Sequence, residues 1–214
     1  MARKFGRLVS SGSTPRNGDD QDEEIQTPSA TDIIPEALLR QAAGDSGFSQ
    51  IVERKSLCVV VEAGSADLVS PLEQLLDRIA DWDYSVIRTR IEAKSDRNSA
   101  SSSLIEVISG GGRVYGVATK IEQLPDVMVI AADLRIVIPP ITSELVVKVV
   151  EAVTGGKVGS APNLTRLGFE EIVCCLRKGD SAAESIARLA RASKFVHPVT
   201  PMPENVPPVE ELPG

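Results

Sequence analysis

Asp133 is the residue of this chain whose position most suggests chemistry. It follows the apolar run Val127-Met128-Val129-Ile130-Ala131-Ala132. A carboxylate at the exit of a buried strand is placed to hold magnesium beside a nucleotide phosphate. That chemistry needs partners the sequence does not place nearby. Leu134 stands where a water-polarising glutamate would follow. No G-x-x-x-x-G-K-[ST] string occurs, the loop whose backbone N–H groups and lysine cradle phosphates. The nearest string, Gly155-Gly156-Lys157-Val158, lacks the upstream glycine and the metal-binding hydroxyl, and it follows a helix. Asp133 therefore reads first as a cap on the turn between two strands, and only second as a cofactor-binding residue.

The other reactive side chains are less well placed. His197, the one histidine, lies in a proline-rich stretch, whereas a general base must be held within hydrogen-bond reach of its proton. Cys174 and Cys175 fall on an apolar helix face and read as small hydrophobes. Gly110-Gly111-Gly112 follows a helix and precedes a strand, so it reads as a helix stop rather than a phosphate cradle. No catalytic residue and no metal ligand is expected. Arg88 and Arg90, with Arg135 and Arg113, are expected to line one edge of a sheet. There they would either meet an acidic partner or act as solvated charge that deters strand-to-strand aggregation.

The elements that must position these residues are aliphatic. Hydrophobic residues make up 42% of the 214, aromatic ones only 3%, so the core is built from Val, Ile, Leu and Ala. A net charge of -7 argues against nucleic acid, which calls for clustered Lys and Arg. No apolar run approaches the roughly 18 residues of a membrane span. The basic start (Arg3, Lys4, Arg7) has no signal-peptide core; it is compatible with a transit peptide and reads more simply as unstructured. Three cysteines, two of them adjacent, give neither a disulfide framework nor a zinc spacing, and a reducing cytoplasm is expected.

Along the chain, residues 1–31 read as disordered and 32–56 as a short helix opened by Pro35, stopped before Gly44, and a linker. Residues 57–141 read as an open, mostly parallel α/β sheet with crossover helices. Its strands are expected at Leu57–Ala63, Tyr84–Ile91, Arg113–Ala118, Val127–Ala132 and Leu134–Ile138. Ser70-Pro71-Leu72-Glu73 reads as a capping box for a helix ending near Trp82, Lys94–Ser103 as a Ser-rich loop, and Leu104–Ile108 as a helix. Residues 142–196 read as a helical, lid-like unit. Its first helix is capped by Thr142 or Ser143 and ended by Gly155; its last is capped by Asp180 or by the box Ser181-Ala182-Ala183-Glu184. Residues 197–214 read as a proline-rich linker.

The string Asp133-Leu134-Arg135-Ile136-Val137-Ile138-Pro139-Pro140 resembles the strand and proline that follow the second arginine-bearing motif of AAA+ ATPases. Gly168-Phe169-Glu170-Glu171-Ile172-Val173 resembles the entry to a helix of that family's lid, and Pro208-Val209-Glu210-Glu211-Leu212-Pro213-Gly214 the segment that opens an AAA+ core. The chain as a whole resembles the N-terminal region of bacterial AAA+ proteins, a degenerate ATPase-like domain followed by a linker. The resemblance implies a non-catalytic regulatory or substrate-engaging module that stops before the motor. ATP and magnesium would belong to the parent protein, and no cofactor to this chain. Partners would be AAA+ subunits, a client protein or further copies of itself, with no nucleic acid or membrane involved. The alternative is a small stand-alone α/β protein that binds a nucleotide or another small molecule at the carboxyl edge of its sheet.

Overall fold

The computed structural model describes residues 29–90, 101–159, 164 and 167–196. Outside these lie the unstructured segment expected at the start, up to residue 28, the Ser-rich loop up to residue 100, and the proline-rich 197–214 with His197.

Four strands form one all-parallel sheet in the order β2-β3-β1-β4: Leu57–Glu62 (β1), Tyr84–Arg88 (β2), Arg113–Ala118 (β3) and Leu134–Val137 (β4). Around it lie the helices Ala30–Glu53 (α1), Val69–Ile79 (α2), Ser101–Ser109 (α3), Asp126–Ala131 (α4), Ser143–Thr154 (α5), Phe169–Cys175 (α6) and Ala182–Val196 (α7), with a 3-10 turn at Ile121–Gln123. The fold is α/β. Among the described residues, no helix is long and apolar enough to cross a membrane.

The apolar runs of β1 and β3 follow from helices on both faces. Leu57, Val59, Val61, Tyr115 and Val117 point into a cluster with Leu38 and Leu39 of α1 and Leu72 and Leu76 of α2. Cys58, Val60, Val114 and Ala118 point the other way, against Leu104 of α3 and Met128 of α4. On that second face Gly116 lets α4 come close: a Cβ there would meet Met128 Sδ at 2.5 Å and both Leu124 methyls at 3.0 Å. Val146, Val149 and Val150 of α5, Ile172 of α6 and Leu189 of α7 belong to the same apolar cluster as α1 and α2.

Helix caps follow the sequence in the second half of the chain. Thr142 Oγ1 accepts the Leu145 N–H at 3.2 Å, and Gly155 ends α5. Ser181 and Glu184 form the reciprocal box that opens α7: Ser181 N donates to Glu184 Oε2 at 2.9 Å and Glu184 N donates to Ser181 Oγ at 3.3 Å.

The first half departs from expectation in three places. α1 begins at Ala30 under a Ser29 cap, passes Pro35, and resumes beyond Gly44, whose φ of 65° and ψ of 171° kink it. The helix does break at Gly44, as expected; what was not expected is the second helical segment beyond it, whose Phe48 and Ile51 extend the buried face of Ile34, Leu38 and Leu39. Ser70 does not cap α2; the helix starts at Val69, after Leu68, with no side-chain cap bond, and ends at Ile79, where Trp82 Nε1 satisfies the Leu76 carbonyl at 2.9 Å. Val127–Ala132, expected as a strand, is instead helix α4 with Asp126 in its first turn. Its apolar run covers one face of the sheet with Met128 and leaves Ile130 80% exposed.

Candidate functional site

Open parallel sheets take ligands in the crevice outside the carboxyl ends of their strands, where adjacent strands send their chains to opposite faces. Here those strands are β1 and β3. The crossover after β1 runs into α2 on the α1 face, and that after β3 into α4 on the other. The candidate site is therefore built from Glu62 to Ser70 and from Ala118 to Gln123.

Backbone pairing continues past the strands into this crevice, with Ala63 N donating to Ala118 O at 2.8 Å and Gly64 N to Thr119 O at 3.2 Å. Across it stands the Glu62 carboxylate. Oε1 accepts Lys120 Nζ at 2.9 Å, and Oε2 accepts the Ile121 N–H at 3.3 Å, where the 3-10 turn opens. The hydrogen bond to Glu62, and then its charge, hold the Lys120 ammonium above its ordinary pKa. Gln123, itself buried, accepts the Lys120 N–H at 3.3 Å. Thr119 Oγ1 is buried and has no hydrogen-bond partner among the described residues.

The loop from β1 to α2 carries a second carboxylate. Asp67, just before Leu68, accepts the backbone N–H groups of Phe169 at 2.9 Å and Glu170 at 3.4 Å, the first residues of α6. This is the loop in which a nucleotide-binding protein would cradle phosphate. Here acidic oxygens already hold the lysine and the N–H donors of the neighbouring turns. A phosphate bound here would have to displace Glu62 from Lys120 and would lie beside Asp67.

The residues singled out by sequence lie elsewhere. Asp133 follows a helix, not a strand, and opens β4 at the amino edge of the sheet, opposite the ligand-binding edge. Its Oδ2 accepts the Cys58 N–H at 2.9 Å while its own N–H donates to Cys58 O at 2.9 Å. It thus ties together the starts of β1 and β4, and Arg54 lies 3.7 Å away. The turn it occupies joins helix α4 to β4 rather than two strands, and its carboxylate bonds not within that turn but to β1. Burial, and then the Asp133 charge, push the Cys58 thiol up to about 11.

The four arginines do not share an edge. Arg88 ends β2 and Arg90 lies just beyond it, whereas Arg135 sits on β4, the opposite edge strand, and donates to Val129 O at 2.6 Å. Arg113 opens β3; its guanidinium lies 4.7 Å over the Trp82 ring and donates to the Ile51 carbonyl. Beside it, Tyr115 packs edge-on to Trp82 with ring centroids 5.0 Å apart and donates to Asp77 at 2.7 Å. Burial, and then this hydrogen bond, raise the Tyr115 pKa. Of the paired cysteines, Cys175 is buried and Cys174 exposed, since adjacent helical residues point about 100° apart and cannot share one face. Lys157 follows the end of α5, and Val158 N donates to Glu151 Oε1 at 2.9 Å, which closes off that helix end.

Glu62, Asp67, Thr119 and Lys120 were not singled out by motif. The available signal was positional: a charged residue ending an apolar strand, then Gly64, then an acid two residues before the next helix. No protein-family model, no curated protein and no solved structure matches this chain.

Proposed function

We propose that this chain is a non-catalytic, protein-engaging module, a regulatory or client-binding part of an AAA+ ATPase in which the nucleotide site has been given over to structure. The observation that carries the reading is the Asp67 carboxylate. In the loop where a phosphate would rest, it caps α6 and fastens the helical unit α5–α7 to the sheet. Glu62, bridging Lys120 and Ile121 across the crevice, supports the same reading. The order of a parallel sheet followed by a helical unit fits the lineage that the segments around Asp133 and Gly168 resemble. Partners are then proteins: neighbouring ATPase subunits, a client, or further copies of the chain.

A second reading, a small-molecule-binding α/β protein, draws on the buried Thr119 hydroxyl at the switch point. Thermal unfolding followed by the fluorescence of Trp82, the one tryptophan, separates the two. With saturating ATP and magnesium the midpoint is expected to stay where it is. A stabilisation of about 2 kcal/mol or more, as mass action gives at ligand well above its Kd, overturns the first reading in favour of the second. Sedimentation across a concentration series tests the protein-engaging half. Self-association is expected, and a strictly monomeric chain at every concentration counts against it.

A further inference from the structure

We draw no further inference here: the strongest candidate, the apolar groove between the Lys157–Gly159 loop and the outer face of α7 (Ala183, Ile186, Ala187, Ala190), carries nothing because nothing in the structure shows what covers it.

Discussion

Asp67 and Phe169, 102 residues apart in the chain, are joined by a 2.9 Å hydrogen bond from the Phe169 N–H to the Asp67 carboxylate. The first N–H groups of a helix have no partner within it, and α6 has no side-chain cap of its own at Gly168. Asp67 supplies that acceptor from a different element, so one side chain both caps α6 and closes the loop after β1. Asp67→Ala should cost about 1 kcal/mol, the usual loss for an N-cap acceptor. Asp67→Asn, which keeps an oxygen, should cost less. Urea unfolding measures the first effect, and hydrogen exchange at the Phe169 and Glu170 amides localises it. If Asp67→Ala unfolds at the wild-type urea concentration with unchanged exchange there, the contact does not fasten the helical unit.

Gly116 faces Met128 and Leu124, both fully buried. Gly116→Ala forces a methyl into that contact, and overpacking of this kind costs about 1–3 kcal/mol. Met128→Ala alone should cost about 2–5 kcal/mol through the cavity it leaves. The two changes share one volume, so the double variant should be more stable than the sum of the single losses, with a coupling above about 0.5 kcal/mol. Strict additivity in a denaturant cycle would show that α4 does not rest on Gly116.

That same contact shows why part of the fold was legible in the sequence and part was not. β1 and β3 are flanked by helices on both faces, and their unbroken apolar runs say so directly. α5 and α7 carry their caps in local residues, Thr142 and the Ser181–Glu184 box, which need no knowledge of the rest of the chain. The run Val127–Ala132 has no such local arbiter. A short apolar segment fits a buried strand or a helix lying on a sheet, and what decides is the room left by Gly116 on the preceding strand, β3. Pro125-Asp126, a proline and an acid at a helix start, was the one available cue. Because that run is a helix, Asp133 is not at the exit of a strand but at the entry to β4. The carboxylates at the carboxyl edge, Glu62 and Asp67, became visible only once the strand order was known.

Acid should loosen the turn between α6 and α7 before the sheet. The Asp180 carboxyl is held below its ordinary value of 3.8, chiefly by the hydrogen bond from Arg188; Glu184 is held below 4.5 by the Ser181 N–H and hydroxyl. Both folded-state values are depressed, so their stabilisation is complete above the unfolded values, at about pH 5 and higher. It is lost as pH falls through the lowered folded values. Hydrogen exchange at this turn should therefore be insensitive to pairing loss near neutrality and lose protection in acid below 3.8. In Arg188→Met the Asp180 titration followed by NMR should move up toward its ordinary value, while Glu184 moves far less. An unmoved Asp180 midpoint would show that the ion pair does not form in solution.

Thiol labelling distinguishes the three cysteines by position. Thiolate is the reactive form, and burial both hides a thiol and suppresses its ionisation. Cys174 is exposed, Cys58 and Cys175 are buried, and the Cys58 thiol is pushed up to about 11. At mildly alkaline pH one thiol should react with an aromatic disulfide reagent at once, and mass spectrometry should place it at Cys174. The other two should react only at the rate of unfolding, and with denaturant all three should react together. Asp133→Asn removes the smaller of the two causes of the Cys58 shift and leaves burial, the larger, in place. Cys58 in that variant should stay gated by unfolding. Rapid labelling of Cys58 in the folded variant would mean that the Asp133 carboxylate, more than packing under Met128, keeps the start of β1 closed.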